Sequence, residues 1–239
     1  MDFHGQVFWE ALTSKSLING VQITIALTVV AFILGLLIGL AIALMRNSRL
    51  AVVRGVAWAY IWLFRGVPTL VQLFIVWEAL PQLFPVLTQS WFSPFVAATV
   101  ALSFNEAAYA AEILRGGLLA VDDGQRIAAR ALGMTPLKVF TKVIAPQLTR
   151  VTIPPMANDF ITLLKITSLA SVVSLRELMT NTQTAIASSF RFAEWFFAAA
   201  IYYLVVVSIF MVAQAWLERR YVWTSTSRGP RSILRAIGR

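Results

Sequence analysis

Residues 21–45 read VQITIALTVVAFILGLLIGLAIALM, 25 positions without one charged side chain. A helix needs about 20 apolar residues to cross a bilayer core about 30 Å thick. The run does not alternate as a barrel strand would. In hydrocarbon the backbone must bond within itself, which leaves a spanning helix.

Working outward, four more apolar runs of that length follow, at about 56–80, 92–114, 151–175 and 193–217. Arg65-Gly66 and Pro68 break the second. The third carries Glu106 and Glu112, and the fourth Asp159 and Lys165. Of 239 residues 59% are hydrophobic and 13% charged, where soluble domains hold about 45–50% and about 25%. That excludes a disordered chain and argues against a soluble enzyme. The chain has no Cys and one His, His4. Disulfides, thiolate metal sites and His clusters are therefore excluded. Residues 1–19 hold Asp2, Glu10 and Lys15 without a basic n-region, so the first run is taken as a retained span.

The net charge of +9 gains its meaning from location. Fifteen Lys and Arg follow the first, third and fifth runs, against Lys15, Arg176 and Arg191 on the other side. The positive-inside rule then gives five spans with the N-terminus out and the C-terminus in, and nucleic acid is not the implied partner. The expected organisation is an extracytoplasmic segment at 1–20 and a five-helix domain at 21–217. A basic cytoplasmic tail follows at 218–239, on the inner leaflet or against a partner.

Between the third and fourth runs lies the largest cytoplasmic loop, about 116–150. Asp122 or Asp123 can cap a first short helix that stops at Gly133. Thr135, with Pro136 in the first turn, starts a second that meets Pro146. The pair reads either as amphipathic helices on the membrane surface or as a docking element for a cytoplasmic partner.

Within this loop Gly124-Gln125-Arg126-Ile127-Ala128-Ala129-Arg130-Ala131-Leu132-Gly133, then Ile144-Ala145-Pro146-Gln147, resembles the EAA loop of ABC-importer permeases. Ile127 stands where that family has Glu, and Ala145 where it has Leu. Three stretches resemble the polar amino-acid branch: residues 65–74 (RGVPTLVQLF), 107–117 (AAYAAEILRGG) and 153–169 (IPPMANDFITLLKITSL). In the third, Ile166 replaces a common Asp. The resemblance covers about 21–221. It implies an all-α membrane protein of the type I importer permease fold in a bacterial cytoplasmic (inner) membrane. It also implies a coupling helix docked on an ATPase through Gly124, Ala128, Ala129, Arg130, Leu132, Gly133 and Pro146. The implied partners are two ATP-binding-cassette ATPase subunits, a second permease subunit, identical or paralogous, and an extracytoplasmic solute-binding protein. The cargo is an amino acid or related small solute.

The chain lacks G-x-x-x-x-G-K-[ST], so it holds no ATP by a P-loop. No cofactor is expected on this chain; ATP and Mg belong to the partner ATPase. The alternative is an ATP-independent secondary carrier or channel. An odd span count without a visible inverted repeat argues against common carrier folds.

A charge at mid-span costs about 2.5–3.5 kcal/mol on insertion scales, which makes it a candidate for function. Asp159, beside Asn158 and just after Pro154-Pro155, lies where the prolines are expected to break the helix and line a path. Its structural alternative is a bridge to Lys165 or a neighbouring helix. Glu78 closes the second run on the outer side, as a substrate group or a carboxylate reaching water. Glu106 is a substrate group or a structural partner of Lys165. Thr167 and Ser168 hydrogen-bond either substrate or a neighbouring helix. Glu112 and Arg115 read as an i, i+3 ion pair. Arg65 reads as structural, bonding freed carbonyls or a carboxylate. The carboxylates Glu78, Glu106 and Asp159 against one in-span lysine point to a cationic amino acid, with Lys165 facing its carboxyl group.

Overall fold

A computed structural model describes residues 3–221, and among them every regular element is helical. Most of the basic tail expected at 218–239 lies outside the described residues. Helix α1 (Gly5–Leu12) packs on α11 (Phe192–Tyr221). The uncharged run lies within α2 (Lys15–Arg46).

One face of α2 carries Gly20, Thr24, Leu27, Ala31, Gly35 and Gly39, all buried. Their spacing of three or four makes one stripe along a helix. Ile33, Leu37, Leu40 and Leu44 are exposed. Apolar burial gives little drive where lipid is equally apolar, so small residues and close contact do the packing. Helix α6 (Pro94–Leu119) fits against this stripe with alanines. The approach is close: a Cβ on Gly35 would lie 2.5 Å from Glu106 Cγ, and one on Gly39 2.8 Å from Ala110 Cβ.

The second apolar run is not one straight helix. Helix α3 (Ala51–Gly66) meets the Thr69–Leu83 helix at 103°. Pro68 lacks an N–H and forces the preceding residue out of the helical region; Val67 is extended at φ −95°, ψ 130°. Beyond the bend come α4 (Thr69–Phe74), a π turn at Ile75–Ala79 and α5 (Leu80–Leu83).

On the other side of α6 the loop opens with α7 (Asp123–Ala131) and α8 (Pro136–Val139). Pro146 was expected to end the second loop helix, and it does not. A π turn at Phe140–Ile144 leads directly into α9 (Ala145–Ile166). In that turn Ala145 N–H reaches back five residues to Phe140 O. The wider turn shifts the carbonyl that a proline ring would otherwise strike. Pro154 and Pro155 do not break α9 either. They forfeit two consecutive donors, while packing on α6 and α11 holds the helix.

A 3₁₀ turn (Thr167–Val173) follows, then α10 (Leu178–Ser189). Helix α1 lies in the expected extracytoplasmic segment at 1–20, and α10 lies between the fourth and fifth apolar runs. Among the described residues three helices are long and apolar enough to cross a membrane, and the bent pair makes a fourth candidate. Helix α6 carries Glu106, Glu112 and Arg115, yet thirteen of its residues are buried by other helices. A helix shielded from lipid in this way tolerates polar side chains.

Candidate functional site

The structure brings together two of the three carboxylates singled out from the sequence. Glu106, on the α2-facing side of α6, is 3% exposed. Asp159 projects from α9 and is half-buried. The two carboxyl groups are within hydrogen-bonding reach of each other. Each also keeps a buried oxygen without a partner, Glu106 Oε1 and Asp159 Oδ2. One and two turns toward the N-terminus of α6, Ser103 Oγ and Thr99 Oγ1 are buried and unpartnered as well. Residues 99, 103 and 106 share a helix face, and its Glu106 end packs against Gly35 of α2. Ionised carboxylates only accept hydrogen bonds, so their contact calls for a proton or a cation between them. Arg65 is within electrostatic range of Asp159.

Lys165 pairs with neither acid. The ion pairs among the described residues are Glu112–Arg115 at 2.9 Å and Asp123–Arg126 at 3.4 Å. Six residues turn a helix by about 600°, which places Lys165 about 240° around α9 from Asp159. Lys165 is exposed, as is Asn158. Glu78 is exposed within the π turn and stands apart from the Glu106–Asp159 pair in sequence and element. Thr167 is buried and donates to Leu164 O at 2.6 Å; Ser168 donates to Lys165 O at 2.8 Å. Ser168 also meets the Tyr203 hydroxyl on α11, an interhelical contact.

Arg65 does not bond the carbonyls freed at the bend. Gln72 Nε2 donates to Phe64 O and Val67 O, both at 2.8 Å. Asn105 Nδ2 adds a bond to Phe64 O at 3.2 Å. A buried amide corrects two carbonyls at once, while the guanidinium of Arg65 lies over the Tyr109 ring at 5.3 Å. Gln72 escaped the sequence reading; its only signal was an amide inside an apolar run. Glu177, fully buried, was missed too. It caps α10 by accepting from Met179 N (2.8 Å) and Thr180 N (2.7 Å), and it takes the Tyr203 hydroxyl at 3.3 Å.

The loop face is a second candidate site. Asp122 caps α7 by accepting from Gly124 N at 2.6 Å. At the other end Gly133 has φ +75°. Gly133 N–H bonds Arg130 O and Met134 N–H bonds Ala129 O. That paired closure requires a left-handed residue, which glycine supplies without strain. Ala129 is buried, whereas Gly124, Ala128, Arg130, Leu132, Gly133 and Pro146 are exposed. Ile127 (68%), Leu132 (83%), Leu137 (72%) and Phe140 (47%) expose a sizeable apolar surface beside basic residues. Among the described residues no group of three or more His, Cys, Asp or Glu could hold a metal.

Residues 31–223 match the family described as "Binding-protein-dependent transport system inner membrane component". The chain is 41% identical over 213 residues to an arginine transport system permease protein, ArgU, of Corynebacterium glutamicum, covering 85% of this chain and 67% of that protein. It is 38% identical over 220 residues to an L-cystine transport system permease protein, TcyB, of Bacillus subtilis, covering 92% and 90%. Among solved structures, an amino acid ABC transporter with histidines superposes with a TM-score of 0.80 at 35% identity, over 92% of this chain and 99% of that one. The methionine transporter MetNI shares the fold at a TM-score of 0.74 and 21% identity, over 92% and 100%.

Proposed function

Because this chain belongs to the binding-protein-dependent transport system inner membrane component family, we propose that it carries a cationic amino acid across the inner membrane through five spans, N-terminus out and C-terminus in. It is the permease subunit of an ABC amino-acid importer, and ATP is hydrolysed by a separate subunit. The proposed assembly holds two ATPase subunits, which bind ATP and Mg, a second permease subunit and an extracytoplasmic binding protein. The α7 helix and its Gly133 closure are the proposed ATPase contact, through Gly124, Ala128, Ala129, Arg130, Leu132, Gly133 and Pro146.

The observation that carries the substrate class is the Glu106–Asp159 pair, with an unpartnered oxygen on each carboxyl. A guanidinium or ammonium group satisfies both acids and replaces the proton their contact requires. The arginine permease among the relatives supports the same class. Lys165, exposed and without an ion pair, is the proposed counter-charge for the carboxyl end of the substrate. Glu78, Asn158, Thr167 and Ser168 complete the proposed path.

The test is uptake of labelled arginine by vesicles carrying the whole complex, with and without ATP on the ATPase side, in competition with lysine, glutamine and glutamate. ATP-dependent uptake blocked by lysine alone is expected. Blocking by glutamine or glutamate would discard the cationic class, and uptake indifferent to ATP would indicate a secondary carrier.

A further inference from the structure

Where α2 ends, it borders with α3 and α6 an open cavity of about 450 Å³ lined by Arg46, Arg65, Glu112, Tyr109, Trp58 and Trp62. Neither Glu106 nor Asp159 lies on its wall, although its Arg65 is within electrostatic range of Asp159. Its charges are unbalanced. Glu112 is its carboxylate, and Arg115 already grips both oxygens, Nε to Oε1 at 3.1 Å and Nη2 to Oε2 at 2.9 Å. Arg46 and Arg65 are both within electrostatic range of Glu112, yet neither forms an ion pair among the described residues. Arg46 Nε is buried and has no hydrogen-bond partner. Arg54, on α3 with Arg65, is engaged elsewhere, on Ser48 O and Arg49 O. The cavity thus holds two guanidinium groups without an ion pair among the described residues, that of Arg65 lying over Tyr109, and an orphaned donor on Arg46.

The aromatic residues indicate what kind of anion fits. Trp58 and Trp62 stack one turn apart, 6.2 Å between rings and 12° from parallel, and are 54% and 64% exposed. Tryptophan concentrates at the membrane–water boundary, where an apolar ring and a polar N–H are both satisfied. The α2 terminus at Arg46 and the basic residues Arg49 and Arg54 mark that boundary on the side the charge bias makes cytoplasmic. Arginine forks match phosphate oxygens. A soluble anion would need the arginines but not an exposed tryptophan pair beside them.

We propose that this cavity binds the headgroup phosphate of an anionic phospholipid of the cytoplasmic leaflet. Arg46 and Arg65 hold the phosphate, and Trp58 and Trp62 flank the glycerol and upper acyl region. The site would tie the inner end of α2 to the bent second span.

The test uses the whole purified complex, delipidated and titrated with phosphatidylglycerol or phosphatidylcholine under native mass spectrometry. The wild type should retain phosphatidylglycerol in preference, and millimolar inorganic phosphate should not displace it. Arg46→Gln and Arg65→Gln should each weaken retention about fivefold, the scale of one basic residue at an anionic surface. Equal retention of both lipids by the wild type would overturn the proposal, as would displacement by inorganic phosphate, which indicates a free-anion site. These outcomes need no variant and so stand even if the substitutions misfold. Undiminished retention in the folded variants would overturn it as well. The chain has no Cys, so a Trp58→Cys probe reports on its own site; its cross-linking to the second permease would place a subunit, not lipid, on this face.

Discussion

Asn105 Nδ2 donates to Gln72 Oε1 at 3.2 Å across the bend of the second span. Together the two amides cover Phe64 O and Val67 O, the carbonyls exposed where Pro68 interrupts the helix. Gln72→Leu would bare Val67 O, weaken the cover of Phe64 O and leave Asn105 without its acceptor. Each buried polar group left unsatisfied costs about 1–3 kcal/mol. Asn105→Leu should be milder, because Gln72 keeps both carbonyls. Thermal unfolding of the purified complex should therefore rank wild type above Asn105→Leu above Gln72→Leu. The reverse order of the two variants would show that the amides do not hold the bend.

Gly35 and Glu106 occupy one contact. Gly35→Ala places its Cβ 2.5 Å from Glu106 Cγ, 2.7 Å from its Cβ and 3.2 Å from Ser103 O. Overpacking of this kind costs about 1–3 kcal/mol, and here it also shifts a proposed substrate carboxylate. Arginine uptake should fall in Gly35→Ala. In a Glu106→Ala background the added stability cost of Gly35→Ala should shrink only in part, since Cγ is gone while the Cβ of residue 106 stays 2.7 Å away. A cost unchanged between the two backgrounds would mean that helix α2 simply moves aside.

The helical class and the in-span charges were legible because an uncharged 25-residue run has a purely local signature. What depends on distant partners was not. The sequence marks a break at Arg65-Gly66 and Pro68, but the 103° angle rests on Asn105, 33 positions beyond Gln72. A local rule stops a helix at Pro146, and the π turn that carries the chain past it has no comparable local signal. A bridge from Lys165 to either acid is the structural alternative that the charges offer, and the angle around α9 turns Lys165 away from Asp159. Helix α10 is short, and the bonds that dock it, Tyr203 hydroxyl to Glu177 and Asn181 Nδ2 to Ser16 O at 2.7 Å, are tertiary. The carboxyl pair was half legible: both acids stood out as charges in spans, but their contact did not.

At Gly133 the backbone conformation itself can be tested. Its φ is +75°, and a Cβ there would meet nothing within 4 Å, so Gly133→Val is penalised by conformation and not by collision. The left-handed region costs an L-residue about 1–2 kcal/mol. The turn joining α7 to α8 should reshape, and uptake per ATP hydrolysed should drop in proteoliposomes. Gly133→Asn, which tolerates this region better, should retain more of the coupling. If Val and Asn behave alike, the left-handed closure is not what matters.

Glu177 gives a pH dependence. Burial pushes its carboxyl above the usual carboxylate range, while hydrogen bonds from Met179, Thr180 and Tyr203 pull the other way. A raised value in the folded state means that its contribution to stability is complete below the unfolded value and is lost as pH rises through the folded one. The melting temperature of the wild type should therefore fall with pH just above the ordinary carboxylate range. Glu177→Gln, lower in absolute stability, should lack that slope. Parallel profiles for the two proteins would remove Glu177 as the source.

In the proposed substrate path Glu106 and Asp159 make one acceptor for one positive charge, and this sets the expected pattern of neutralisation. Glu106→Gln supplies an N–H donor to Asp159 and mimics the proton that the pair lacks. The site then has one acid left, and a guanidinium loses half of its ionic contact. Hydrogen bonds to a charged group contribute about 1.5–3 kcal/mol, so arginine uptake should weaken about tenfold or more. Asp159→Asn should act alike, and the double variant should cost less than the two single effects summed, because each acid depends on the other. Competition by glutamine, which brings no side-chain charge, should change far less than competition by lysine. Full arginine uptake in both single variants would remove the pair from the substrate path and leave it a structural contact between α6 and α9.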